Sequence, residues 1–127
     1  MKEIIAIIRM DMINKTKEKL LMEGFPALHC RKVMGRGKKK VDFSVIEDML
    51  SGSEIPSRTV AESISEGHKL IPKRLISLVV KDYETKKAID AIIDINSFGK
   101  PGDGKIFVMP INDAIRIRTG ETGEEAV

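Results

Sequence analysis

Tryptophan is absent from the 127 residues, and aromatic side chains make up only 4% of them. A protein that grips single strands by stacking bases on aromatic platforms needs more rings than this, so that mode of recognition is disfavoured and the core has to be aliphatic. Cys30 is the sole cysteine, which excludes an intrachain disulfide, and it stands beside one of only two histidines, His29, while the other, His68, lies far along the chain. No metal-ligand spacing results, and no metal site is expected. No apolar run approaches the ~20 residues of a membrane span. The opening Met1-Lys2-Glu3 passes straight into isoleucines without a cleavage pattern, and we expect a cytoplasmic protein. Charge of one sign is also scarce: 22 basic against 19 acidic residues leave +3, less than a dedicated DNA-binding face concentrates.

What is present is 42% hydrophobic residues in 14.1 kDa, enough for one domain spanning 1–127 with a single core. Residues 4–8, Ile-Ile-Ala-Ile-Ile, read as a strand buried on both faces or nearly so. Asn14 is placed to cap a helix over 15–23 that ends at Gly24. A weaker strand follows over 27–34. Residues 73–81 form an unmistakable strand, Asp82 is placed to cap a second helix carrying Ala88, Ile89, Ile92 and Ile93 at helical spacing, and 106–109 form a last strand. The order β-α-β-β-α-β is the ferredoxin-like split βαβ arrangement, followed by an extended tail over 115–119. Two helices on one face of such a sheet leave the other face apolar, and we expect a dimer or trimer to cover it.

Between the second and third strands, residues 36–70 lack periodicity and form an expected long mobile loop opened by the basic cluster Arg36-Gly37-Lys38-Lys39-Lys40. A second feature is Gly99-Lys100-Pro101-Gly102-Asp103-Gly104-Lys105. Glycines crowded before a lysine let several backbone N–H groups converge on an anion. The spacing copies a Walker A loop until Ile106 replaces the Ser or Thr that holds magnesium, and the apolar run after it is a strand where a P-loop requires a helix. A P-loop NTPase is therefore rejected and phosphate binding retained, against the plainer reading of a glycine turn with a solvated lysine. In Ile115-Arg116-Ile117-Arg118, alternation along an extended segment puts both guanidinium groups on one face, where an anion relieves their repulsion. Asp103, between two glycines, is read as a turn residue rather than a catalytic acid, and no nucleophile-base pair is found.

With these residues in view, the chain resembles the PII signal-transduction proteins, trimeric nitrogen regulators that sense ATP, ADP and 2-oxoglutarate. The resemblance rests on residues 1–9, on Val33-Met34-Gly35-Arg36-Gly37 at the entry to the long T-loop, and on Gly102-Asp103-Gly104-Lys105-Ile106-Phe107 with Ile115-Arg116-Ile117-Arg118-Thr119-Gly120-Glu121. It implies a nucleotide cleft between neighbouring subunits, with Gly102, Asp103, Gly104, Lys105, Arg116 and Arg118 on the phosphates. Gly37 and Lys38 would approach from the loop base, and His29 and Val79 would flank the base. It further implies 2-oxoglutarate near Lys39 and Lys73, with Mg2+ as a companion ion. Phe98 stands where the family usually has threonine, Ala27 and His29 where it has glycine and threonine, and Lys39 where it commonly has a metal-binding glutamine. An ammonium cannot ligate a metal, though it can pair with a carboxylate. The T-loop is longer than usual and lacks tyrosine, since Tyr83 falls in the second helix, which resembles the nitrogenase-regulating NifI-type subgroup. That subgroup implies a nitrogenase target and a homotrimer or a hetero-oligomer with a related PII-like subunit. Two other classes compete: a ferredoxin-like nucleic-acid-binding regulator using the basic loop, which the acidic tail disfavours, and an enzyme acting on nucleotides.

Overall fold

The computed structural model describes residues 1–37 and 70–127, so Lys38, Lys39 and the expectation of a long mobile loop over most of 36–70 lie outside the described residues. The chain divides into two compact units, Met1–Val33 with Pro72–Val127, and Met34–Ile71. The first carries the core. The elements of the chain run β1 (Lys2–Arg9), α1 (Ile13–Met22), β2 (His29–Gly35), β3 (Ile71–Val80), α2 (Thr85–Asn96) and β4 (Lys105–Pro110), with the last residues of β2 and the first of β3 in the second unit. The sheet order is β2-β3-β1-β4, with β1 antiparallel to both of its neighbours, so the ferredoxin-like arrangement holds.

Alternation builds the core. Ile4, Ala6 and Ile8 of β1 are buried with Ile76, Leu78 and Val80 of β3, and the helices close over them with Leu20, Ala88, Ala91 and Ile92. The expectation that β1 is buried on both faces is corrected. Ile5 and Ile7 are only half-buried, because both helices pack on one side and, among the described residues, no second layer covers the other. That open face carries Val79, Phe107 and Met109, each more than a third exposed. Among the described residues, no helix is long and apolar enough to cross a membrane.

The helix ends also differ from expectation. Asn14 is the second residue of α1 rather than its cap, because a 3-10 turn over Met10–Met12 leads the chain in and Met12 occupies the cap without a side-chain bond. The helix ends as a Schellman motif: Phe25 N–H donates to Leu20 carbonyl at 2.8 Å and Gly24 N–H to Leu21 carbonyl at 3.1 Å, folding Phe25 into the core. Asp82 is the first residue of another 3-10 turn and makes no cap bond; its carboxylate instead meets the Met1 ammonium at 2.9 Å. That hydrogen bond and the charge of the ammonium lower the Asp82 pKa below its ordinary value. Residues 27 and 28 precede β2, which begins at His29. The two helices are joined by a buried polar contact, Asn96 Nδ2 donating to Thr16 Oγ1 at 3.0 Å while Thr16 donates to Met12 carbonyl at 2.7 Å.

Candidate functional site: a cation-lined glycine loop

The loop from the end of α2 to the start of β4 presses against β1. Gly104 shows how closely: its φ is +116°, and a Cβ built there would lie 2.0 Å from Ile7 carbonyl oxygen. Only glycine permits this approach. Gly102, at φ +95°, faces the cations instead, with a Cβ position 3.4 Å from Arg9 Nη2 and 3.6 Å from Lys73 Nζ.

Those cations come from adjacent strands. Arg9 and Lys73 are cross-strand partners in the β1–β3 ladder, and Lys105 pairs with Ile7 on the other side of β1. Arg9 Nη1 donates to Asp103 Oδ1 at 2.6 Å and Nη2 to Pro101 carbonyl at 3.1 Å, while Lys73 Nζ donates to Gly102 carbonyl at 3.1 Å. Asp103 Oδ2 accepts the amides of Phe98 at 2.9 Å and Lys100 at 3.2 Å. Partial burial tends to raise the Asp103 pKa, but the Phe98 amide, the Arg9 guanidinium and the Lys100 amide together hold it below its ordinary value. Asp103 is thus the turn-shaping carboxylate expected. Three cations meet one carboxylate here, and Lys105 is exposed and makes no hydrogen bond or ion pair among the described residues. The surplus positive charge suits an anion. A cavity of about 280 Å³ borders the loop, with Ile8, Ile92, Ile93 and Ile106 in its lining beside Asp103 and Lys105, suited to an apolar group next to a charged one.

The remaining expected residues lie elsewhere in the chain. Val79 pairs with Glu3, six residues along β1 from Arg9 or roughly 20 Å. His29 lines a separate cavity of about 280 Å³ with Glu3 and Ser77. Gly37 belongs to the other unit.

The extended tail is corrected. Residues 117–119 form a turn, and the segment folds back as a hairpin through the Ile115 to Thr122 bridge and the Gly120 N–H to Arg116 carbonyl bond of 2.7 Å, because Gly120 takes a positive φ. The shared face expected of Arg116 and Arg118 as alternating strand residues is lost with it. Arg116 is tied to Glu121 at 3.4 Å and to Glu125 carbonyl at 3.1 Å; Arg118 is exposed and, among the described residues, without such a contact. Arg9 was not singled out from the sequence. Its signal was a cation ending an otherwise apolar strand. Among the described residues no group of three or more His, Cys, Asp or Glu could hold a metal.

Fold and site together define a small α+β protein of the ferredoxin-like class whose chemistry gathers at a cation-lined glycine loop. A family described as nitrogen regulatory protein P-II matches residues 1–121. A "Nitrogen fixation nifHD region GlnB-like protein 2" of Methanothermococcus thermolithotrophicus is 45% identical over 100% of this chain and 98% of its own. Its namesake from Methanothermobacter marburgensis is 41% identical over the full length of both chains. A crystal structure of Arabidopsis thaliana PII bound to citrate superposes with a TM-score of 0.70 at 29% identity, covering 98% of this chain and 87% of that one. The chain belongs to the nitrogen regulatory protein P-II family. It is accordingly a nitrogen-regulatory signalling protein and not an enzyme.

Proposed function

We propose that the protein binds ATP or ADP at the glycine loop, responds to 2-oxoglutarate, and controls a nitrogen-fixation target, nitrogenase, through its T-loop. The observation that carries this reading is Lys105, exposed and without a hydrogen bond or ion pair among the described residues, beside a loop whose one carboxylate, Asp103, is already taken by Arg9. An incoming polyphosphate meets a free cation there, in a glycine-shaped concavity. Lys73 is a second candidate for anionic effectors, since its neutral partner, Gly102 carbonyl, gives way readily to a carboxylate.

The placement of His29 and Val79 away from the loop within one chain supports a site shared between copies, as does the apolar open face of the sheet. We read the assembly as a homotrimer or a hetero-oligomer with a related subunit. The nitrogen-fixation link draws on relatives named for the nifHD region. The described residues offer no Mg2+ site of their own, because both oxygens of Asp103 are engaged by Arg9 and two amides. No step is assigned to the ion.

Ligand binding would act by stabilising one T-loop arrangement over another, with the target reading the difference. Calorimetric titration with ATP, repeated with 2-oxoglutarate and magnesium, tests the reading. ATP binding strengthened by 2-oxoglutarate is expected; the absence of ATP binding would overturn it.

A further inference from the structure

Arg9 closes β1, and among the described residues every hydrogen bond, ion pair and ring contact of its side chain goes to one loop. Its guanidinium grips Asp103 at 2.6 Å and Pro101 carbonyl at 3.1 Å by its edge, and its carbon lies 5.5 Å from the centre of the Phe98 ring. Asp103 completes the circuit by accepting the amides of Phe98 and Lys100. Two charged side chains thereby restrain positions 98, 100, 101 and 103, and join the loop to a strand 94 residues away in sequence.

We propose that Arg9, Phe98 and Asp103 form a latch that holds the glycine loop in its anion-receiving shape before a ligand arrives, with Arg9 and Phe98 as positioning residues. The inference rests on the nucleotide reading above. A segment containing Gly99, Gly102 and Gly104 has many conformations open to it, and ordering it at the moment of binding would weaken affinity. The latch removes that cost in advance. Its charge is internally matched, since the Arg9 and Asp103 side chains are only 27% and 23% exposed and neutralise each other, leaving Lys73 and Lys105 without a carboxylate partner among the described residues. Only a planar guanidinium can hold a carboxylate and a carbonyl by its edge while lying over a ring. The ring is half exposed, so seating Arg9 gives Phe98 a role beyond filling the core.

The test combines calorimetric titration with ATP and hydrogen exchange of the Phe98 and Lys100 amides in the ligand-free protein. The variants are Arg9→Ala, Arg9→Lys and Phe98→Thr, with Lys105→Ala as control and thermal melting to verify folding. Arg9→Ala is expected to speed exchange at both amides and weaken ATP binding about tenfold. Arg9→Lys should recover only part of either effect, and Phe98→Thr, which keeps the ion pair, should weaken binding about threefold. If Lys105→Ala weakens binding and Arg9→Ala does not, the latch is overturned. It is equally overturned if Arg9→Ala weakens binding while both amides stay as protected as in the parent, which would make Arg9 a direct ligand contact. If neither Arg9→Ala nor Lys105→Ala alters ATP binding, the nucleotide reading fails and the latch loses its purpose, while exchange still decides whether the loop is held.

Discussion

The glycine loop and the C-terminal hairpin were both expected to receive an anion, yet they are held in opposite ways. The loop is fastened to the sheet by Arg9 and Lys73, and Gly104 is wedged against β1. Over 113–127, every described hydrogen bond stays within the segment, among them Arg116 to Glu121, Gly120 to Arg116, and Gly123 to Ala114 and to Asp113. Similar chemistry is thus carried once on a braced element and once on a self-contained one. Binding groups on a braced element need no ordering when ligand arrives, whereas those on a self-contained hairpin can adjust to a neighbour.

The same substitution in both regions gives the sharpest contrast. Gly104→Ala must displace Ile7 carbonyl from 2.0 Å and adopt a strained φ, and should cost about 3 kcal/mol or more in urea unfolding. Gly120→Ala has a positive φ but open space around it, and should cost only about 1–2 kcal/mol. Equal losses would show that the loop is not braced. On binding, Lys105→Ala should weaken ATP affinity by roughly 1.5–3 kcal/mol without lowering the melting temperature. Arg118→Ala should weaken it less if the hairpin serves a neighbouring copy, because a mobile partner can reposition other groups; calorimetry on both variants decides the order.

Acid distinguishes the regions further. The folded Asp103 pKa lies below its ordinary value of 3.8, so its contribution is present above that pH and is lost as pH falls through the lower, folded value. Stability measured by melting should therefore fall on acidification below about pH 4, and Asp103→Asn should flatten that fall. Asp82 titrates in the same direction through its bond with the Met1 ammonium, so part of the acid sensitivity should survive the substitution. The smallest effect belongs to the hairpin: Glu121→Gln breaks a 3.4 Å pair whose side chains are 37% and 40% exposed, and should change unfolding free energy by no more than about 1 kcal/mol.

How far the sequence revealed this arrangement depended on the range of the interactions involved. Strands and helices with strong periodicity, such as Ile4-Ala6-Ile8 and Ala88-Ile92, were legible because burial imposes their spacing directly. The turn role of Asp103 was legible because its amide partners, Phe98 and Lys100, lie within five residues. Arg9 was not, since its partners are joined to it only by the β1–β4 pairing. The tail was misread for a different reason. Ile115 to Arg118 alternates as a strand does, but Gly120 offers the chain a turn, and Arg116 closes on Glu121 in preference to staying extended. The cap was misplaced by two residues, Asn14 for Met12, because the 3-10 lead-in puts an apolar side chain at the cap.

The two ends of β1 each hold one flank of α2. Met1, just before the strand, grips Asp82 at 2.9 Å ahead of the helix, and Arg9, at its close, grips Asp103 at 2.6 Å beyond it. The 12-residue helix is therefore clamped like a beam between two brackets on the same rail. A piston stroke along its axis would have to break both clamps together, so the helix is fixed lengthwise by the same strand that braces the loop beyond it.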